Sequence, residues 1–186
     1  MSALLRSSRR IVHFIDSFTE TFGRVISWLN IALMLSVFAV VLLRYVLNMG
    51  SIALQELAIY IHAIIFLSAC GYTLRHNGHV RVDIFYRRFS PRTRGIVDSL
   101  GSILFLLPVC LFIGFISWDY VDRAWDIRET SHDPGGLPAV YLLKSLILVL
   151  VATLVLQGVA EFLKAVDAIV NPQQNSISNN ELEEAA

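Results

Sequence analysis

Charged residues are absent from long stretches of this chain and crowd between them. Residues 25–43 carry no Asp, Glu, Lys or Arg over 19 positions, residues 57–74 none over 18, and residues 99–118 none over 20. A fourth run, residues 137–160, holds a single charge, Lys144. A helix rises about 1.5 Å per residue, so about 20 residues cross the core of a bilayer. A surface helix of a water-soluble fold keeps a polar stripe, which these runs lack. The pattern predicts an all-α integral membrane protein. Its four transmembrane helices would lie at about 25–47, 54–74, 96–118 and 138–160, forming one membrane domain over residues 25–160.

The connecting segments have patterns of their own. Ile11, Phe14, Ile15, Phe18 and Phe22 recur at helical spacing within the segment 1–24, with Arg9, Arg10, Asp16 and Glu20 between them. Two readings stay open: a helix lying in the membrane interface, or a simple extension of the first span. Between spans two and three, residues 79–90 read HVRVDIFYRRFS. Val82, Phe85, Tyr86 and Phe89 share one helical face and Arg81, Asp83, Arg87 and Arg88 turn elsewhere. This predicts an interfacial amphipathic helix whose arginines reach anionic head groups. Gly78 would permit a tight turn out of span two. Ser90-Pro91 reads as an N-cap followed by proline at the first helical position. Residues 161–186 are expected to form a polar tail without fixed structure.

Composition agrees with a membrane chain: 55% of residues are hydrophobic and only 16% charged, against about 25% in an average soluble domain. Fifteen basic and fifteen acidic residues sum to zero net charge, which gives no argument for nucleic-acid binding. Their partition is more telling. Arg6, Arg9, Arg10, Arg24, Arg75, Arg81, Arg87, Arg88, Arg92, Arg94 and Lys164 fall on one side of the predicted topology; Arg44, Arg123, Arg128 and Lys144 fall on the other. The positive-inside rule then places both termini and the middle loop in the cytoplasm. The loops around residues 48–56 and 119–136 face outward, the second being acidic through Asp119, Asp122, Asp126, Glu129 and Asp133.

Little in the spans suggests an engine. His62 is the one histidine of five that falls in a span, so paired haem ligands are not offered. Cys70 and Cys110 lie in separate spans without a CxxC motif and read as packing residues. No zinc spacing, phosphate loop or nucleophile motif occurs, so no catalytic, cofactor-binding or metal site is predicted. No carboxylate sits at a span centre, where an ion-coupled transporter acting alone usually needs one. Arg44 and Glu56 flank the first outward hairpin and are expected to pair across it. Lys144 would either snorkel outward or pair with an acidic loop residue. Asp119 and Asp122 read as a solvated helix face before a cation site or docking face. Gly71, Gly101, Gly114 and Gly158 would allow close helix approach.

The order of several segments adds a family. Arg44 closes span one, QELAIY (residues 55–60) opens span two, and GYTLRHNGHVRVDIFY (residues 71–86) leads into the loop through His79. SHDPGGLPAVYLLKSLILVLV (residues 131–151) and Gln157-Gly158 follow. Together these resemble the small, DctQ-type membrane subunit of tripartite ATP-independent periplasmic (TRAP) transporters. The resemblance implies a bacterial inner-membrane protein without enzymatic activity or cofactor. It implies as partners a large elevator-type permease subunit and, transiently, a periplasmic substrate-binding protein. It further implies uptake of an organic acid driven by an ion gradient, usually sodium. Arg44, Glu56, His79, Arg81, Asp83, Arg87, Arg88, Asp119, Asp122, Lys144 and Gln157 become structural or partner-contact candidates. Apart from the resemblance, two other functions fit the residues: a stand-alone small homo-oligomeric transporter, and an electron-transfer membrane anchor.

Overall fold

Long apolar sequences form long helices here, and the charged positions decide where the helices dock. The computed structural model describes residues 2–79, 86 and 89–170, with the side chains of residues 2–7 and 91 excepted. The helices are α1 (Ser2–Ser27), α2 (Leu29–Tyr45), α3 (Ile52–Ser68), α4 (Cys70–Arg75), α5 (Pro91–Gly101), α6 (Leu107–Asp126) and α7 (Val140–Val170). Among the described residues there is no strand. Joined across their short breaks, they give four helices long and apolar enough to cross a membrane: Ser8–Tyr45, Ile52–Arg75, Arg92–Asp126 and Val140–Val170.

The breaks have local causes. Ser51 Oγ accepts from the Leu54 N–H at 3.3 Å and starts α3. Ser90 Oγ accepts from the Thr93 N–H at 3.2 Å with Pro91 in the first turn, as the Ser-Pro pair predicts. Between α5 and α6, residues Ser102–Leu106 widen into a π-turn just before Pro108. Proline has no N–H to give the carbonyl four residues earlier, and a widened turn absorbs the mismatch. The turn after α4 differs from expectation. The left-handed residue is Asn77 (φ 52°) rather than Gly78, because the short Asn side chain tolerates that region. The Gly78 N–H then bonds back to the Thr73 carbonyl at 2.9 Å.

Helix α7 is the hub. It packs against α1, α3, α4, α5 and α6, whereas α2 rests on α3 and α1. The contacts are made by small residues: Ala58, Cys110, Ala124, Ala160 and Ala165 are buried. The bulky residues of α2 and α6, such as Phe38, Phe112 and Phe115, face outward. Water gives no drive to bury apolar groups inside a bilayer, so close packing of small residues takes over. A Cβ on Gly71 would lie 2.9 Å from the Thr153 carbonyl oxygen, so α4 meets the α7 backbone directly. Gly114 and Gly158 also abut neighbouring helices, but Gly101 has open space beside it and supports no close approach.

Helix α7 does not stop where the charges begin. It continues through Glu161, Lys164 and Asp167 to Val170, so residues 161–170 are helix rather than the start of a structureless tail. These charges have helical partners, described below, and are held in place by them. Residues 171–186 lie outside the described residues. So do residues 80–85 and 87–88, and with them the interfacial helix expected between spans two and three.

Candidate functional site

Two polar clusters tie the helices together, one at each end of the bundle. The larger joins α1, α4 and α7. Helix α1 turns Ile15 and Thr19 inward, 4% and 5% exposed, while Phe14 is 73% exposed. Helix α1 is followed by α2 after a break at the single residue Trp28. It runs antiparallel along α7, with Arg9 next to Asp167 and Thr19 next to Gln157.

Gln157, fully buried, organises the cluster. Its Oε1 accepts from the Thr19 hydroxyl at 2.9 Å. Its Nε2 donates to Asp16 Oδ1 at 3.0 Å and to Glu161 Oε1 at 2.9 Å. Lys164 Nζ bridges the same two carboxylates, at 2.9 Å from Asp16 and 2.8 Å from Glu161. Arg75, arriving from the end of α4, pairs with Glu20 at 2.7 Å and donates to the Asp16 backbone carbonyl. Arg24 closes on Glu20 at 2.9 Å. His76 Nε2 lies 3.2 Å from Glu20, its ring against Tyr72 with centroids 4.2 Å apart. Three carboxylates thus face Lys164, Arg75 and Arg24. The three carboxylates are only partly exposed, and each is paired and hydrogen-bonded. Such an arrangement ties α1, α4 and α7 together.

The second cluster holds the loop between α6 and α7. Glu56, at the start of α3, accepts from the Ser131 hydroxyl and from the Leu137 N–H at 2.5 Å. This corrects the expected Arg44–Glu56 pair: no ion pair joins them among the described residues, and Arg44 is exposed near the end of α2. Two neutral N–H and O–H donors from the folded loop satisfy Glu56 instead. Of the two readings of Lys144, the pairing one is realised. Its Nζ lies 2.5 Å from Glu129 and 4.1 Å from the Tyr120 ring centroid. Arg128, in the left-handed region (φ 48°), lies over Trp125 and Tyr141 at 5.7 and 5.5 Å. Trp125 Nε1 donates to Ser145 Oγ at 2.8 Å.

The remaining candidates are scattered. Asp119 and Asp122 are exposed on α6. His79 is exposed after the α4 turn, and Arg81, Asp83, Arg87 and Arg88 lie outside the described residues. Among the described residues no three His, Cys, Asp or Glu gather where they could hold a metal ion. Sequence reasoning singled out Gln157 but missed Asp16, Thr19, Glu20, Arg75, Glu161 and Lys164 around it. A signal was present: Asp16, Thr19, Glu20 and Gly23 share a helical face, as do Gln157, Glu161 and Lys164.

Comparison with known proteins gives one finding. The family model described as the DctQ component of tripartite ATP-independent periplasmic transporters matches residues 33–168. No curated protein and no solved structure matches.

Proposed function

From the premise that this chain belongs to the DctQ family of TRAP transporter components and is a multi-pass membrane protein, we propose that it is the stationary scaffold of its transporter. A large permease subunit carries the substrate and the coupling ions and moves against it. A periplasmic binding protein delivers the substrate, an organic acid, and an ion gradient drives uptake. The chain itself catalyses no reaction. Its termini lie in the cytoplasm, and the loop between α6 and α7 faces the periplasm across the inner membrane. The partition of arginines supports that orientation.

One observation carries the scaffold reading: the ionisable groups that join helices are engaged with one another rather than gathered around a vacancy. A helix pair that must slide during transport loses such contacts at each cycle. Locking α1, α4 and α7 through Asp16, Glu20, Arg75, Gln157, Glu161 and Lys164 suits a body that keeps its shape. Outward-facing bulky residues on α2 and α6 give it surface for lipid and for the large subunit.

The test is co-purification. With a cognate large permease subunit co-expressed, a tag on this chain should retain a multi-span partner in stoichiometric amount through detergent washing. Recovery of this chain only as a homo-oligomer, with the large subunit present in the same membranes, contradicts the proposal.

A further inference from the structure

Several polar side chains in the spans find partners within the chain. The Ser36 and Thr153 hydroxyls donate to carbonyls of their own helices at 2.8 and 3.0 Å, and Gln157 is met by α1 and α7. His62 finds none. It is exposed on α3 between Ile59 and Phe66, which are 58% and 64% exposed. These three share one helical face. Helix α3 packs against α1, α2, α4 and α7, and they leave this strip uncovered. Among the described residues His62 makes no hydrogen bond or ion pair. Its ring stacks on that of Phe66, with centroids 6.2 Å apart.

The depth of His62 does not depend on where a bilayer is placed. Along the stretch Ile52–Arg75 it stands about 15 Å from the first residue and about 19.5 Å from the last, at about 1.5 Å per residue. A hydrocarbon core of about 30 Å laid anywhere within that stretch leaves His62 about 10 Å or more from either edge. Counted instead from Glu56, the nearest charged residue of the helix, the depth is still about 9 Å. An imidazole keeps at least one N–H donor in every protonation state. Hydrocarbon tails accept no hydrogen bond, so histidines within spans face other helices or water-filled cavities.

We infer that the strip Ile59–His62–Phe66 is covered by a transmembrane helix of the large permease subunit. That helix meets the His62 ring with a carboxylate, hydroxyl, amide or backbone carbonyl. The inference deepens the scaffold reading and rests on it for the identity of the partner. Lipid supplies the apolar half of what this face needs and not the polar half, whereas a partner helix supplies both. A second copy of this chain is a poorer match. Around a two-fold axis along the membrane normal the strip would meet itself. Ile59 and Phe66 hold no side-chain polar group, so one imidazole would be left to serve the other.

The test uses the full chain co-expressed with its cognate large permease subunit, with Phe66 replaced by the photoreactive benzoylphenylalanine. Irradiation in membranes should join the two subunits, seen as an adduct of their summed mass. In detergent, His62→Leu should raise the apparent Kd for the large subunit about 3- to 18-fold, the range for one interhelical hydrogen bond. His62→Gln, which keeps an N–H donor, should restore most of the affinity. Expressed without the large subunit, His62→Leu should melt no lower than the wild-type chain, because leucine suits an uncovered lipid-facing position better than histidine. Adducts with lipid or a second copy alone, or an unchanged Kd in His62→Leu, would overturn this proposal and leave the scaffold reading standing, provided the wild-type chain retains the large subunit. A lower melting temperature of His62→Leu on its own would overturn it too, by making His62 a group that the fold itself needs. Failure of the wild-type chain to retain the large subunit at all would overturn both.

Discussion

Replacing Gln157 with leucine is the sharpest perturbation of the inward cluster. The side chain is fully buried and makes three hydrogen bonds, to Thr19, Asp16 and Glu161. Leucine has similar bulk, so the loss is polar rather than a cavity. Interhelical hydrogen bonds in membrane proteins contribute about 0.6 kcal/mol each on average. Hydrogen bonds to charged groups in soluble proteins contribute about 1.5–3 kcal/mol. The bond to Glu161 lies within α7; of the two that cross to α1, the one to Asp16 ends on a carboxylate, though Lys164 stays bound to it and limits the damage. The docking of α1 on α7 should therefore weaken by about 2–4 kcal/mol. Hydrogen exchange in nanodiscs reads this directly. Amides of residues 9–22 should exchange about 30- to 1,000-fold faster, at about 1.4 kcal/mol per tenfold. Amides of α3 should be unaffected. Exchange in α1 unchanged to within threefold would refute the reasoning, because the hydrogen bonds would then not be what holds α1 down. Thr19→Val should give a smaller effect and combine with Gln157→Leu less than additively, as partners in one bond do.

Other positions separate the account from its alternatives. Gly71→Leu should push α4 from the Thr153 carbonyl and lower thermal stability in detergent, while Gly101→Ala, with open space beside it, should not. Glu56→Gln should free the loop at residues 127–139, seen as faster limited proteolysis there; Arg44→Gln should leave the loop as resistant as wild type, whereas an Arg44–Glu56 staple would make both equally sensitive. Lys144→Met should leave Glu129 unpaired and lower thermal stability, and the double variant with Glu129→Gln should recover most of the loss.

Much of the architecture was legible because a bilayer imposes a simple rule. Three runs of 18 to 20 positions without charge, and a fourth with only Lys144, are each long enough to cross it as helix, so the four spans followed from the sequence alone. What escaped was direction. On α1 the apolar strip Phe14–Phe18 and the polar strip Asp16–Glu20 were both visible, but periodicity does not say which strip meets the protein. In the structure Ile15 and Thr19 meet the protein, and the partly exposed Asp16 and Glu20 beside them find Lys164 and Arg75, while Phe14 and Phe18 face outward. The same reason hid the last turns of α7, where Glu161, Lys164 and Asp167 looked like the start of a solvated tail. Glu56 was recognised as important but given the wrong partner. Arg44 is close in sequence, whereas Ser131 and Leu137 are brought to Glu56 only by the folding of a distant loop.

Reconstituted transport tests the central claim most directly. Proteoliposomes are loaded with this chain alone, with the large permease subunit alone, or with both. Uptake of the substrate carried by the cognate binding protein is then measured under an imposed ion gradient. The account predicts full uptake with both subunits and binding protein, and none with this chain alone. Uptake by this chain alone, at the rate of the complete system, would contradict it.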